Sequence, residues 1–296
     1  MFAPRYDLTP STEKFEFLSR HRPCRRSNSV ISAGPLCKPP PPRTRVAIAP
    51  VRMHWTLEEN LDAIRRAMLL ANAQGAAICA FSELAVTGFH RKIGDLAKPE
   101  LVDPAVEEVR SLSAKLKIGA ALGAPTFDSA GAKYITHHLI NEDGRITAAI
   151  SKRGLTDAEA TFFARGSTRP VGVVQGLKCT AVICREGGDF DQVTTDVPKG
   201  SADLIFVPGA LRQDPDLPPS DPPPYVDDIR ALAIATGSYM VQTNWPNALN
   251  RPEEGVDAGR SCIVSPTGEL LFRLPKEVSG VGVFNLGESS FTWHPQ

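Results

Sequence analysis

The chain has 296 residues, 42% of them hydrophobic, enough to bury the core of one large α/β domain or two small ones. Its 33 basic and 33 acidic side chains cancel, so no global charge points to nucleic acid or to an anionic membrane. No apolar run approaches the roughly 18 residues that a membrane helix requires.

The first 44 residues stand apart. They carry Arg5, Lys14, Arg20, Arg22, Arg25, Arg26, Lys38 and Arg43 against Asp7, Glu13 and Glu16, lack sustained periodicity, and close on Pro39-Pro40-Pro41-Pro42. This composition predicts a disordered or loosely attached extension ending in a stiff polyproline spacer. A cleaved organellar presequence is an alternative that the acidic residues argue against, and a mistaken upstream start codon is another. The stretch lacks the apolar core of a secretory signal.

Regular order is predicted over 45–290. Arg45–Val51 reads as a strand and Leu57–Gln74 as an amphipathic helix, with Thr56 as N-cap and Gly75 as stop. Ala76–Phe81 reads as a strand, Pro104–Leu116 as a helix and Ile118–Ala124 as a strand. Tyr134–Asn141 and Arg145–Ser151 form a hairpin around Glu142-Asp143-Gly144. The second half repeats this order: strand Lys178–Ile183, short helix Phe190–Val197, strand Leu204–Val207, helix Pro224–Thr236 and strand Tyr239–Thr243. A hairpin of Ser261–Val264 with Leu270–Arg273 and a last strand, Gly280–Asn285, complete it. Two sheets of this kind stack face to face with helices on both outer faces, which predicts an α/β fold: a four-layer α-β-β-α sandwich in one domain. Asp214–Pro224 and Trp245–Glu254 are long proline-bearing loops of the kind that rim binding sites.

Three apolar runs end on reactive side chains. Ala76–Phe81 runs into Glu83, Ile146–Ile150 into Lys152, and Lys178–Ile183 into Cys184 and the turn Arg185-Glu186-Gly187-Gly188-Asp189. Ligands in open α/β sheets bind beyond the carboxyl ends of strands. A carboxylate, an ammonium and a thiol at three such ends form a candidate catalytic set. Taken singly, each has a bland reading: the cysteine as a core residue, Glu83 as a helix cap, and Lys152, Glu159 and Glu186 as solvated charges. The other cysteines show no C-x-x-C pair and no metal spacing, and Cys79, Cys179 and Cys262 read as small buried hydrophobes. A reducing, cytoplasmic setting fits this usage. His137 and His138 lie on opposite faces of the first hairpin, with packing the expected role.

The ordered set of motifs resembles the nitrilase, or carbon–nitrogen hydrolase, superfamily. Phe81-Ser82-Glu83-Leu84 through Gly88-Phe89 is similar to the family's F-P-E-L-x-x-x-G-[YF], and Lys152-Arg153-Gly154-Leu155 to K-x-H-L. Glu159 through Gly166 is similar to E-x-x-x-F-x-P-G, and Val182-Ile183-Cys184-Arg185-Glu186 to V-x-I-C-[YWR]-[DE]. The likeness runs in order from about Arg45 to Asn285. It implies the sandwich of the nitrilase type and a catalytic role for each of these residues. Cys184 would be the nucleophile, Glu83 the general base and Lys152 the cation that stabilises the tetrahedral intermediate. Glu159 would be a second glutamate that positions substrate or shuttles protons, and the Arg185 backbone N–H a further oxyanion donor. Such chemistry calls for no metal or organic cofactor.

The sequence departs from the pattern at Ser82, at Gly154 in place of histidine, and at Gly187-Gly188-Asp189-Phe190-Asp191 in place of an aromatic-Pro-Glu stretch. The two glycines are expected to widen the pocket floor or loosen the turn. The resemblance implies a small-molecule amide, carbamoyl or nitrile substrate and a homodimer or higher homo-oligomer, while the balanced charge and the lack of a long apolar run point to neither nucleic acid nor membrane as partner. An amidase acting on a small amide or N-carbamoyl compound is the leading reading. A nitrilase, an acyltransferase and a non-catalytic scaffold are the alternatives. No elbow, Walker or dinucleotide motif follows a strand, which leaves serine hydrolase, NTPase and dinucleotide readings without support.

Overall fold

The computed structural model describes residues 44–211, 222–250, 259–276, 278–288 and 290–296. The expected N-terminal extension, apart from Thr44, lies outside the described residues. So do most of the loop 214–224 and the end of the loop 245–254. No described helix is long and apolar enough to cross a membrane.

The first half contains β1 (Arg45–Ala49), α1 (Leu57–Ala73), β2 (Ile78–Phe81), α2 (Ile93–Leu96), α3 (Pro99–Leu116), β3 (Gly119–Phe127), β4 (Lys133–Ile140) and β5 (Ile146–Ser151). It continues through α4 (Asp157–Ala160), β6 (Gly172–Val174) and β7 (Leu177–Ala181) to α5 (Phe190–Asp196) and β8 (Leu204–Gly209). α6 (Tyr225–Thr236), β9 (Tyr239–Asn244), β10 (Cys262–Val264), β11 (Leu270–Arg273), β12 (Gly280–Asn285) and β13 (Ser290–Pro295) follow. One sheet has the order β13-β12-β1-β2-β3-β4-β5 and the other β11-β10-β9-β8-β7-β6.

Strand alternation builds the layers. Because side chains on a strand alternate between faces, Val46, Ile48, Ile78 and Ala80 point between the sheets, where they join Cys179, Ala181, Leu204 and Phe206 in one core. Their neighbours Ala47, Ala49, Cys79 and Phe81 face the other way and pack with Ile64, Met68, Val102 and Val109 of α1 and α3. On the second sheet Ile205 and Val207 face Ile229 and Leu232 of α6. Three apolar layers therefore separate four layers of structure, and the expected α-β-β-α sandwich is what forms. Cys79, Cys179 and Cys262 are buried in these layers as free thiols. Thr56 caps α1, its side chain accepting from the Glu59 N–H at 3.3 Å, and Gly75 turns the chain away at φ +71°.

The differences from expectation are local. Helix α3 begins at Pro99 and runs through Pro104, the residue expected to start it. A proline so near the amino end deletes a single i→i−4 bond, and its fixed φ is helical. Strand β7 stops at Ala181, and Cys184 opens a 3-10 turn, Cys184–Gly188, instead of ending a strand. Strand β12 is not the last. Ser290–Pro295 pairs antiparallel with it, Phe284 opposite Phe291 and Gly282 opposite Trp293. Proline is tolerated at such an edge, where the ladder ends.

Candidate active site

Glu83 follows β2 in a tight turn that places Leu84 at φ +52°. This turn presses on β3: a Cβ at Gly123 would stand 2.4 Å from the Leu84 nitrogen and 2.6 Å from the Ser82 carbonyl oxygen, so only glycine lets the two backbones meet. From the opposite sheet, the buried Trp245 indole donates to the Glu83 carbonyl at 2.8 Å. Lys152 follows β5 and is anchored by its backbone N–H on the Ile135 carbonyl at 2.8 Å. Its fully buried ammonium donates to Glu83 Oε1 at 2.8 Å and to Glu159 Oε1 at 2.6 Å. Glu159 is fixed in turn by the capping box of α4. Its Oε2 accepts from the Thr156 N–H at 2.8 Å, and the Thr156 hydroxyl accepts from the Glu159 N–H at 3.2 Å.

Cys184 sits at φ +56°. A side-chain-bearing residue in this region costs on the order of 1–3 kcal/mol and persists only where its surroundings impose it. Glu186 supplies much of that constraint. Its Oε2 accepts from the Ile183 N–H at 2.7 Å and from the Arg169 guanidinium at 2.9 Å, while Oε1 accepts from the N–H groups of Arg153 and Gly154 at 2.6 and 3.0 Å. One buried carboxylate thus joins the segment leaving Lys152 to the segment entering Cys184. Arg169 also donates to the Ala181 carbonyl and, with Arg153, to Asp196. Burial alone would raise the Glu186 pKa, but Arg169 and the converging N–H groups outweigh it and hold the carboxyl below its usual range. Glu186 and Glu159 are buried groups, not the solvated charges of the bland reading.

The electrostatics of the centre follow from two acids sharing one base in a dry place. Burial raises the Glu83 pKa, Lys152 opposes this, and the Glu159 charge adds to it. Burial works against the Lys152 ammonium, yet Glu83, Cys184 and Glu159 outweigh it and raise its pKa. The Cys184 thiol is pushed up to about 12 by burial and by the Glu83 charge, against the favourable field of Lys152 and a hydrogen bond from the Ala210 backbone. Glu83 Oε2, the oxygen that Lys152 does not engage, is buried with no close partner among the described residues. The arrangement can hold a neutral thiol, a proton acceptor beside it, and a permanent cation within the same enclosure.

Cys184, Glu159 and Ala210 line a cavity of about 540 Å³ whose remaining wall includes Phe89, Phe162 and Trp245. Arg185 is different. Its guanidinium pairs with Asp189 at 2.7 Å and lines a separate basic cleft with Arg153, Arg165 and Gly188. That pair also explains Gly154, since a Cβ there would lie 2.4 Å from Asp189 Oδ2 and 2.8 Å from an Arg185 nitrogen. The space that a side chain at 154 would take is filled from the turn. Gly187 and Gly188 do not widen the floor as expected, because neither lines the cavity at Cys184. Arg169 and Ala210 have no signal in the sequence, being ordinary residue types recruited from distant segments, whereas Trp245 opens a loop expected to rim the site.

The chain matches the carbon–nitrogen hydrolase family over residues 45–288. No curated protein matches it. Among solved structures it is similar to a crystal structure of an amidase from Nesterenkonia sp., with a TM-score of 0.71 and 25% identity over 86% of this chain and 94% of that one. A mutant of the amidase from Nesterenkonia sp. AN1, described as belonging to the nitrilase superfamily, gives a TM-score of 0.72 at 25% identity, covering 84% and 93%. Another mutant of that amidase, showing covalent addition of the acetamide moiety of fluoroacetamide at the active site cysteine, gives 0.71 at 25% identity, covering 82% and 90%. With its two stacked sheets and its match over nearly all described residues, the chain belongs to the carbon–nitrogen hydrolase family of the nitrilase superfamily and is a cysteine-dependent carbon–nitrogen hydrolase.

Proposed function

We propose that the protein is an amidase that hydrolyses a small amide or N-carbamoyl compound through a thioester on Cys184. The observation that carries this is the Lys152 ammonium, buried and held between Glu83 and Glu159 beside the cavity that Cys184 lines. Glu83 takes the thiol proton as Sγ attacks the amide carbon. A thiol with a pKa near 12 is protonated at rest, so transfer accompanies attack instead of preceding it. Lys152 and the backbone N–H of Arg185 stabilise the oxyanion, each such donor being worth about 10²–10³ in rate. Glu159 positions Lys152. The proton on Glu83 passes to the leaving nitrogen, ammonia departs, and Glu83 then activates the water that cleaves the thioester and restores the thiol.

A nitrile would pass through a thioimidate on the same residues and is the second reading. We further propose a homodimer, for which the exposed Phe190 and Ile234 on the outer helices α5 and α6 offer apolar surface. A cytoplasmic location accords with the free buried thiols. An ammonia-release screen over amides, carbamoyl compounds and nitriles, run beside Cys184→Ala, tests the assignment. The wild type is expected to turn over an amide and to show an acyl adduct on Cys184 by mass spectrometry. Equal inactivity of both proteins with no adduct would overturn the enzyme reading.

A further inference from the structure

The wall of the Cys184 cavity is more selective than its chemistry requires. Its volume of about 540 Å³ falls in the range of roughly 300–1,000 Å³ that encloses drug-sized ligands. Away from the reacting centre Met53, Phe89, Ile93, Phe162, Phe163 and Trp245 make an apolar wall, with His90, Arg91, Asn247 and Asn250 as the polar part of the lining. Phe162 and Phe163 pack edge to face at 4.8 Å, with the Lys133 ammonium 4.3 Å from the Phe162 ring centroid, so the aromatic wall is braced from behind. The opposite rim is tied down by polar contacts, and His90 Nε2 is a buried polar atom of the lining with no partner among the described residues. Asn247 exchanges hydrogen bonds with the backbone of Met53, its Oδ1 accepting from the N–H at 2.8 Å, and Asn250 Oδ1 accepts from the Arg91 N–H at 2.7 Å.

Charge completes the picture. Among the described lining residues the only carboxylate is Glu159, and both its oxygens are committed, one to Lys152 and one to the Thr156 N–H. The rim cation Arg91 lies over the Trp55 ring at 5.2 Å, with Lys92 on the same ring at 5.3 Å. Among the described lining residues a cationic substrate tail would find no free counter-ion, and an uncharged hydrocarbon tail would find aromatic side chains. We propose that the substrate is an amide of a bulky, uncharged, apolar acyl group, seated with its carbonyl at Cys184 and its tail along Phe89, Phe162 and Trp245. This rests on the amidase reading and names its substrate class.

Three primary amides test it: acetamide, heptanamide and 6-aminohexanamide, the last being heptanamide with its terminal methyl replaced by an ammonium. Each buried methylene is worth about fourfold in binding. Heptanamide should therefore exceed acetamide in kcat/KM by at least about 10²-fold, and 6-aminohexanamide should lose most of that gain. Phe162→Ala, a change at a half-buried ring, should lower the heptanamide-to-acetamide ratio about tenfold. Calorimetric binding of the same amides to Cys184→Ala repeats the comparison without turnover. Heptanamide no better than threefold over acetamide in both assays, or equal to 6-aminohexanamide, would overturn the proposal. Selective binding of heptanamide without hydrolysis by the wild type would instead sink the amidase reading and leave the apolar cavity standing.

Discussion

Glu186 Oε1 accepts the backbone N–H of Gly154 at 3.0 Å while its Oε2 accepts that of Ile183, so one side chain sets the spacing between the Lys152 segment and the Cys184 turn. The carboxylate does this from a place where neither it nor its partner Arg169 reaches water. Nothing in this contact touches the cavity. It acts on the reaction through geometry alone.

Removing Glu186 leaves the buried Arg169 with Asp196 as its counter-charge, and removing Arg169 leaves Glu186 with backbone N–H groups alone, so each loss should be at most about 3–5 kcal/mol. Glu186→Gln and Arg169→Met should each lower the thermal midpoint by several degrees, measured by calorimetry. Glu186→Gln should also slow alkylation of Cys184 by chloroacetamide, because the turn that holds φ +56° relaxes. The double variant should lose less than the sum of the two. Strict additivity would mean that the two side chains do not act as a pair.

The acid limb of activity should belong to Glu83. Its pKa is raised by burial above an ordinary value of 4.5, so the base is lost at a higher pH than for an exposed glutamate. A plot of kcat/KM should therefore rise with pH through a midpoint above 4.5 and show no thiol ionisation in the neutral range, since Cys184 titrates near 12. Glu83→Gln should lower kcat/KM by about 10²–10⁴ and remove the acid limb. Retention of that limb in the variant would assign it elsewhere.

His137 and His138 give the fold an acid sensitivity. Both are buried, and neither ring nitrogen of either has a partner among the described residues. His137 lies between the sheets near Phe206, with ring centroids 6.3 Å apart. Burial depresses His137 to about 3, with His138 adding to the effect, and depresses His138 to about 4, with Arg110 adding to it. The unfolded chain binds these protons near pH 6.5 and the folded one does not. Stability is thus whole above 6.5 and falls by about 1.4 kcal/mol per pH unit for each histidine as the pH drops toward 4. Urea unfolding at pH 7 and pH 5 measures this, and His137→Leu should flatten the slope. An unchanged slope would show that the ring takes a proton without unfolding.

Gly154 should tolerate a side chain only when its neighbour leaves. Gly154→Ala must displace the ends of the partly exposed Asp189 or Arg185 side chains and should cost about 1 kcal/mol or less. In an Asp189→Gly background that cost should largely vanish. Equal cost in both backgrounds, read from thermal unfolding, would place the conflict in the backbone.

Much of this is legible in the sequence alone. The strands and principal helices follow from alternation and amphipathic period, and the points where apolar runs stop put the acid, the ammonium and the thiol at or just beyond the carboxyl ends of their strands. The misreadings share a cause. Helix α3 starts at Pro99 and not at Pro104, both being prolines that suit a first helical turn. The strand β13 carries Phe291 and Trp293 among exposed polar residues, a weak alternation made into a strand only by the ladder that β12 offers. Glu186 looked like a surface charge because a sequence does not show what will be folded over it.

By itself the sequence determined the layers and the candidate reacting groups, because hydrophobic period and residue chemistry are local properties. It placed Cys184, Glu83, Lys152 and Glu159 in the order that the fold requires. Only the tertiary structure decided how they act on one another. The pairing of Lys152 with two acids 69 and 7 residues away, the Glu186–Arg169 bond, and the filling of the space at Gly154 by the Arg185–Asp189 pair depend on distances set by packing. The aromatic wall of the cavity is likewise drawn from segments as distant as Phe89 and Trp245. Coulomb and hydrogen-bond energies depend on separation and on the exclusion of water, and both are settled only when the two sheets close on each other.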